Sequence, residues 1–454
     1  MLEAGAERPP QELVGSQPAS PPGSTPAVPR QRALMLAMLT LIYALNYLDR
    51  QIVVILQEPI KREYHLQDWQ LGLLTGASIS ILYTAMGIPI ARWIDRGVHR
   101  VRLIAAITAI WSVMTVLCGY TRSFGQFVVA RMGVGLAEAG FTPAAHSMLS
   151  DLYPLRKRPA AMGVFAIGVS LGIMGGLSVG GIIAQRYDWR TALFVCGLPG
   201  ILIALLFGLI AREPVRGATE ADPAATAEER LSFSEAIAVL WRRKAYVHIT
   251  LGSAATSFAL AAMYAWFPSF LIRVHGMSLA EAGLGLGLLI GATGFIGTLL
   301  GGWQAARLGR QGLQGMLWAP IGGILLSIPL FVVALTVGSG MSTLGLLALP
   351  LILTGLWTAP AIALTQSLAP VRARATASAI YIVASNLIGV SLGPIASGLM
   401  SDIFARWTGS EATGLRWALI VSAMLLTWGV VHWALAAWAL RREGPQGAIM
   451  PAAA

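Results

Sequence analysis

The chain has 454 residues, of which 56% are hydrophobic and only 12% are charged, and its formal net charge is +11. A soluble globular protein carries about 25% charged residues, so this composition excludes an ordinary soluble domain and indicates an integral membrane protein with many spans. In such a protein the basic residues report which loops face the cytoplasm, and we expect no nucleic-acid partner. The two cysteines, Cys118 and Cys196, lie in apolar runs. They are expected to be buried thiols, and no metal site or cofactor is expected.

The chain begins with a proline-rich stretch, and residues 1–32 are expected to be a disordered tail. Twelve apolar segments follow, each long enough for a tilted helix to cross a bilayer. They are residues 34–56, 70–94, 101–120, 124–150, 159–184, 190–211, 245–272, 279–304, 315–337, 343–368, 375–400 and 415–440.

These segments divide into two groups of six. The expected organisation is an N-terminal bundle over 33–211, a linker over 212–244, a C-terminal bundle over 245–441 and a tail over 442–454. The linker ends in LSFSEAIAVLWRRK, which is amphipathic and basic, and it predicts a short cytoplasmic helix on the membrane surface.

The basic residues of the loops predict the orientation. With the N-terminus inside, the inner loops and tails hold 21 Lys and Arg residues near the membrane and the outer loops hold 8. We therefore expect both termini in the cytoplasm, and a multi-pass protein of a bacterial inner membrane.

The two groups of six also resemble each other in sequence. The loop ARWIDRGVHRVR (91–102) matches GWQAARLGRQG (302–312) at an offset of 211, and LYPLRKRPAAMG (152–163) matches LAPVRARATASA (368–379) at an offset of 216. Equivalent loops at nearly one spacing predict two pseudo-symmetric six-helix bundles with a site near the midplane between them.

Four charged residues lie deep in spans, and all four belong to the first bundle: Asp49 and Arg50 in span one, and Arg131 and Glu138 in span four. Each costs roughly 2.5–3.5 kcal/mol on insertion scales, so such residues need partners and indicate a functional site. Asp49 and Arg131 lie at matched depth, and Glu138 lies two helical turns, about 10.5 Å, deeper. We predict that Asp49 pairs with Arg131, while Arg50 faces a cavity or reaches toward Glu138.

Two interpretations of this cluster stay open. It is either a static ion network that fixes spans one and four, or a working site in which Asp49 or Glu138 takes a proton while Arg50 or Arg131 holds an anionic headgroup. Further residues are candidates for lining a cavity, although packing or interhelical hydrogen bonding would explain each of them as well. They are Tyr43, Asn46, Tyr47, Tyr83, His146, Tyr264, Trp357, Tyr381 and Asn386.

Residues 33–441 resemble the major facilitator superfamily. Its signature loop after span two is matched by Asp95, Arg96 and Arg100, with Ala91 and Val98 replacing two glycines, and the second copy keeps Arg307 but has Ala306 in place of the acid. The resemblance implies an all-α membrane fold of twelve transmembrane helices in two six-helix bundles. It also implies a cytoplasmic gate at Asp95, Arg96, Arg100 and Arg307, with Asp95 near the start of span eleven.

Within that superfamily the segments YLDRQ (47–51), QLGLLTG (70–76) and 130–154 resemble the Spinster-like transporters. That branch implies lysolipid or sphingoid-phosphate substrates, and coupling through a first-span acid and a fourth-span charged pair. RMGVGLAEAGFTP (131–143) is also similar to the anion:cation symporters.

We therefore expect a secondary active transporter that moves an amphipathic anionic substrate by alternating access and is coupled to protons. The alternative is a proton-coupled symporter of small organic anions. The sequence contains no H-E-x-x-H motif, and no enzymatic activity is expected. The expected partners are the lipid bilayer, the substrate and protons, and the expected state is a monomer.

Overall fold

The computed structural model describes residues 29–216 and 233–443, and the regular structure of these residues is entirely helical. In chain order, the helices are Pro29–Ile55, Gln57–Tyr64, Asp68–Thr75, Ala77–Asp95, Arg100–Tyr120, Phe124–Glu138, Phe141–Leu152, Arg158–Arg186, Trp189–Ile210, Phe233–Arg242, Lys244–His275, Leu279–Leu308, Gly309–Gln311, Gly315–Thr336, Gly340–Gly355, Thr358–Leu368, Val371–Ala373, Arg374–Ala384, Ser385–Ser391, Leu392–Thr408, Glu411–Met424 and Leu426–Glu443.

Eleven helical segments of the described chain are long and apolar enough to cross a membrane. The remaining predicted span, span four, is broken into Phe124–Glu138 and Phe141–Leu152, and with it the protein has twelve transmembrane helices in two six-helix bundles. Pro143 explains the break, because it has no N–H to bond the carbonyl four residues earlier, that of Ala139. Span ten breaks at the equivalent place, between Gly340–Gly355 and Thr358–Leu368, where Pro360 has the same effect on the carbonyl of Leu356. The two bundles therefore share a local distortion as well as matching loops.

The limits of the predicted tails need one correction. The first helix begins at Pro29, so residues 29–32 are helical and not part of a disordered tail. Proline suits a helix start because the missing N–H would have no helical partner there. Residues 1–28, 217–232 and 444–454, which hold most of the predicted tails and linker, lie outside the described residues.

The predicted linker helix is present at Phe233–Arg242. Its Ala236 and Leu240, one turn apart, are almost fully buried, while Trp241 is 71% exposed. The helix thus packs one apolar edge on the second bundle and leaves an aromatic side chain next to the basic residues Arg242 and Lys244.

The two bundles contact each other on one side of the membrane. We call this the far side, and the side that holds both ends of the described chain the terminal side. Glycines allow the close approach: a Cβ on Gly283 of span eight would lie 2.3 Å from the carbonyl oxygen of Leu177 of span five. Likewise a Cβ on Gly72 of span two would lie 2.3 Å from the carbonyl oxygen of Pro394 of span eleven.

The same spans separate toward the terminal side. Gly87 of span two, Gly163 of span five and Gly294 of span eight have nothing within 4 Å of where a Cβ would lie. The bundles are therefore closed against each other on the far side and open toward the terminal side.

Gly283→Val should disfavour this conformation. Its side chain would overlap the main chain of span five, and overpacking of this kind costs about 1–3 kcal/mol, which is comparable to the free-energy difference between two conformations of a protein. We expect longer far-side distances by double electron–electron resonance between spin labels on the exposed residues Tyr187 and Met341.

Gly345→Val is the matched control, because nothing lies within 4 Å of its Cβ position. An unchanged distance distribution in folded Gly283→Val protein would contradict the role given to this contact.

Candidate functional site

The buried charges of spans one and four form one cluster, in the first bundle. Arg50 Nε donates to Glu138 Oε2 over 2.7 Å, and the side chains are 23% and 0% exposed, respectively. This is one of the two positions predicted for Arg50. The Arg50 side chain is therefore partly accessible, whereas that of Glu138 is sealed inside the bundle.

Asp49 and Arg131 meet at the predicted depth, but not as the predicted ion pair. Arg131 Nη1 donates to the main-chain oxygen of Asp49 over 3.0 Å. Asp49 Oδ1 and the Nε and Nη2 atoms of Arg131 are buried without a hydrogen-bond partner in the described structure. The prediction of a carboxylate–guanidinium pair is therefore wrong for this conformation, because Arg131 bonds the main-chain carbonyl of Asp49 and not its carboxylate.

Aromatic rings surround Arg50 on the cavity side. Its guanidinium carbon lies 4.5 Å from the ring centroid of Tyr83 and 5.4 Å from that of Tyr47, within range of a cation–π interaction. Tyr43 stacks on Phe165 of span five at 4.4 Å. Two of the predicted liners of the first bundle, Tyr47 and Tyr83, thus lie against the guanidinium, whereas Tyr43 packs on span five.

Two other predicted liners lie beside this group. Asn46 lies one helical turn before Arg50, the span-one partner of Glu138, and it is 97% buried. Its Nδ2 has no hydrogen-bond partner in the described structure. His146 is exposed and contacts the edge of Phe165 at 5.5 Å. His146 therefore lies nearer the terminal side than the ion pair, where it can exchange protons with water.

An apolar cavity lies on the side of the second bundle. Its volume is about 340 Å³, and its wall includes Tyr264, Trp357 and Leu260 of the second bundle and Gln51 and Val54 of span one. The cavity thus begins at the residue after Arg50 and extends across the interface between the bundles.

Tyr381 and Asn386, the remaining predicted liners, are not part of that wall. Tyr381 is 8% exposed, and Asn386 is half-buried within a π-helical turn, Ser385–Ser391, of span eleven. Such turns are frequent at functional sites.

The predicted gate residues divide into two groups. Asp95, Arg96 and Arg307 are exposed on the terminal side, where the bundles are apart, so their role in closing that side stays a prediction. Arg100 is fully buried within the first bundle, where it donates to Glu213, Asp151 and the carbonyl of Pro214. It therefore joins the ends of spans three, four and six rather than the two bundles.

A second buried charge cluster closes the far side, and the sequence analysis missed it. Arg273 of span seven donates to both oxygens of Asp68, over 2.7 and 2.8 Å, and to Glu58 over 2.7 Å. Asp68 also accepts from Ser401 of span eleven over 2.7 Å. Asp68 thus connects the start of span two to two spans of the other bundle.

Two further residues, Lys61 and Asp402, extend the far-side cluster. Lys61 Nζ lies 2.8 Å from both Asp68 Oδ1 and Glu411 Oε2. Asp402 of span eleven accepts from the main-chain N–H groups of Asp68 and Trp69, over 3.0 Å each. A residue of one bundle therefore satisfies the orphan donors at the start of a helix in the other. In the sequence, the feature that could have indicated this cluster is that Asp68 and Arg273 each lie within one turn of the end of an apolar span.

Asp68→Asn should open the far side. The amide cannot match the bidentate bond from Arg273, and loss of one partner of a buried ion pair costs about 3–5 kcal/mol. Spin labels on Tyr187 and Met341 should then report a longer distance.

Glu63→Gln is the control, because Glu63 pairs with Arg190 inside the first bundle. If both variants give the wild-type distances, Asp68 does not hold the far side closed.

Comparisons with known proteins agree with this geometry. The family model of the Major Facilitator Superfamily matches residues 39–394. A protein of Mycolicibacterium smegmatis described as an MFS-type efflux pump is 34% identical over 91% of this chain and 95% of its own length. Protein spinster homolog 3 of Mus musculus is 28% identical over 84% of this chain and 78% of its own.

Solved structures point the same way. The crystal structure of a bacterial homologue of the human lysosomal transporter Spinster, in an inward-facing and unoccupied conformation, superposes with a TM-score of 0.84. It is 28% identical and covers 94% of this chain and 100% of that one. The chain therefore belongs to the Major Facilitator Superfamily, in its Spinster-like branch, and is a membrane transporter rather than an enzyme.

Proposed function

We propose that this transporter moves an amphipathic anion, such as a lysolipid or a sphingoid phosphate, by proton-coupled alternating access. The observation that carries the proposal is the position of Arg50. This partly exposed cation immediately precedes Gln51, which lines the apolar cavity that extends from span one into the second bundle.

Arg50 suits an anionic headgroup. Its Nε is bound by Glu138, which leaves the terminal nitrogens of the fork for a phosphate or carboxylate. The rings of Tyr47 and Tyr83 restrict the motion of the guanidinium, which reduces the entropy lost when a ligand binds.

The cavity of about 340 Å³ suits an apolar tail. Its wall contains Leu260, Ala261, Leu351 and Val390 together with the rings of Tyr264 and Trp357. No Lys or Arg is among the residues that form this wall, and a small dianion would find no second cation there. The wall therefore favours the amphipathic substrate over the small organic anion of the alternative hypothesis.

Substrate binding and protonation are linked through Glu138. An anion that engages Arg50 competes with Glu138 for the same positive charge. A fully buried carboxylate that loses its counter-charge binds a proton, because burial disfavours the ionised form. Asp49 is buried nearby, its Oδ1 has no hydrogen-bond partner in the described structure, and it is the second proton-binding candidate.

The open side should face the cytoplasm. The loops on the terminal side are the ones rich in basic residues, and the solved homologue with a similar shape is described as inward-facing. Both halves of the site lie within one chain, so a monomer is sufficient. The bacterial relative described as an efflux pump supports export from the cytoplasm.

The substrate class is tested in proteoliposomes that contain the purified protein. We expect uptake of a labelled lysophospholipid driven by a pH gradient, and uptake of succinate no faster than in protein-free liposomes. Arg50→Gln should reduce lysophospholipid flux at least about tenfold, because it removes the headgroup cation. Succinate flux without lysophospholipid flux would replace the proposal with the small-anion alternative.

Asp49→Asn should abolish proton-driven transport while leaving the protein folded, because the amide keeps the size of the side chain but cannot take up or release a proton. The measurement is lysophospholipid flux at two pH values, with and without a pH gradient. Full pH-dependent flux in this variant would exclude Asp49 from the coupling.

Glu63→Gln serves as the control for loss of a carboxylate. Hydrogen bonds from Arg190 and from the Trp189 indole hold the pKa of Glu63 below its usual value. Because the pKa of Glu63 is lower in the folded protein, the pair stabilises the fold at any pH above the usual carboxyl pKa. This stability is lost only as the pH falls through the lowered pKa. Glu63 therefore stays ionised over about pH 5–8, and its variant should keep the wild-type pH profile of transport.

A further inference from the structure

Span three carries a stripe of buried polar groups that the transport site does not use. Thr108, Trp111, Ser112 and Thr115 lie at positions i, i+3, i+4 and i+7 of the helix Arg100–Tyr120, on one face. All four residues are fully buried. In the described structure the hydroxyls of Thr108 and Ser112 and the indole N–H have no hydrogen-bond partner, and the Thr115 hydroxyl approaches only the Asp49 carboxylate.

Hydroxyls elsewhere in the spans behave differently. Ser253, Thr354 and Ser422 each donate to the carbonyl four residues earlier in their own helix, over 2.8–2.9 Å. This local bond is the usual solution for serine and threonine in apolar helices. The span-three hydroxyls do not make it, so their side chains face other elements of the first bundle.

Unpartnered groups of the neighbouring spans lie along the same stripe. On spans one and four they are Asn46 Nδ2, Asp49 Oδ1, Arg131 Nε, Arg131 Nη2 and Glu138 Oε1. Thr115 lies beside the Asp49 carboxylate. Thr108 to Thr115 covers seven residues, about 10.5 Å, the same rise as Arg131 to Glu138. The stripe therefore runs over the depth that separates the two acids.

Span six packs directly on the stripe, and a glycine makes this close approach possible. Gly200 of span six faces Ser112, and a Cβ at that position would lie 2.0 Å from Ser112 Oγ. Trp111 is held at the other side by Phe141, with ring centroids 5.7 Å apart. The stripe is therefore enclosed between spans one, three, four and six, and none of its residues lines the cavity between the bundles. We call this enclosed polar region the polar pocket.

Leaving so many buried donors and acceptors unpaired is costly. Each unsatisfied group costs about 1–3 kcal/mol, whereas one buried water makes about three hydrogen bonds to such groups. A metal cation does not suit the pocket, because Arg131 directs two unpartnered N–H groups into it. A neutral ligand that both donates and accepts fits every group present.

We propose that the span-three stripe binds a file of ordered water molecules that connects Asp49 and Arg131 to the depth of Glu138. Thr108, Ser112 and Thr115 act as positioning residues for this water. The ionisable groups that face it are Asp49 and Arg50 from span one, Arg131 and Glu138 from span four, Cys118 from span three and Cys196 from span six. Within the proposed proton-coupled function, on which this part rests, the water file carries the proton between the two acids.

Radiolytic hydroxyl-radical footprinting of the whole protein in lipid nanodiscs tests the water directly, because a buried side chain is oxidised only where water is bound beside it. Three tryptophans are equally buried. The indoles of Trp266 and Trp433 donate to Pro394 O and Thr256 Oγ1, whereas that of Trp111 has no partner in the described structure. We expect Trp111 to be oxidised about tenfold faster than the other two. Equal protection of all three would overturn the proposal.

Variants then test the positioning role. Thr115→Val and Ser112→Ala should lower the oxidation of Trp111. Ser327→Ala in span nine should not, because that equally buried hydroxyl donates to Ile324 O within its own helix. Oxidation of Trp111 that stays at the wild-type rate in both span-three variants would overturn the assignment of the water to these hydroxyls.

Transport measurements separate the water from the proton. Thr115→Val should slow pH-driven flux severalfold and leave lysophospholipid binding at equilibrium unchanged, because Thr115 does not reach the cavity between the bundles. If Trp111 loses its oxidation while flux keeps the wild-type pH profile, the water file exists but does not carry the proton, and that part is overturned. If the wild-type protein shows no proton coupling, the proposed function fails, whereas the footprint of Trp111 still reports the water.

Discussion

The rest of the structure depends on the burial of two acids and two bases in the first bundle. Asp49, Arg50, Arg131 and Glu138 are placed where each ion alone would be costly, and only their sum is neutral. The hydrogen bonds of the first bundle neutralise these four charges to different degrees. Glu138 receives a direct bond from Arg50, whereas Arg131 is held by a main-chain carbonyl and leaves Asp49 Oδ1 unpaired. Such unequal compensation is what a site needs if a charge is to be neutralised and restored during a transport cycle, because a fully paired network would have no reason to exchange protons.

The conformation is set by a different cluster at the other end of span one. The helix Gln57–Tyr64 follows that span directly and carries Glu58 and Lys61 into the far-side network of Asp68 and Arg273. Span one therefore connects the transport site to the closed side through a single short break at Leu56. Movement of span one, after its charges change partners, would act on the bonds that close the far side. No long pathway of side chains is required for this coupling, since both clusters lie on consecutive helices.

The sequence predicted which residues would form the site better than it predicted their bonds. The depth of Arg131 and Glu138 followed from helical rise alone, and the Arg50–Glu138 contact was one of two stated outcomes. Whether Arg131 would meet the carboxylate or the carbonyl of Asp49 depends on a side-chain rotamer, which periodicity does not determine. The far-side cluster was missed for another reason. Glu58, Asp68, Arg273 and Glu411 are distant in sequence and lie at span ends, where charges are usually solvated. Only the packing of the two bundles buries them.

The two bundles share a fold but divide the chemistry, and the distortions of their helices show how. Spans four and ten break at equivalent places, yet the break in span four brings Phe141 against Trp111 and the polar pocket, while the break in span ten brings Trp357 into the wall of the apolar cavity. Proline breaks the helix in the same way in both bundles. The two breaks differ in the side chains that they place at the site. Duplication of one bundle thus supplies two equivalent bends at the midplane, and substitution at those bends makes one of them polar and the other apolar. An amphipathic substrate is the class of molecule that uses both surfaces at once.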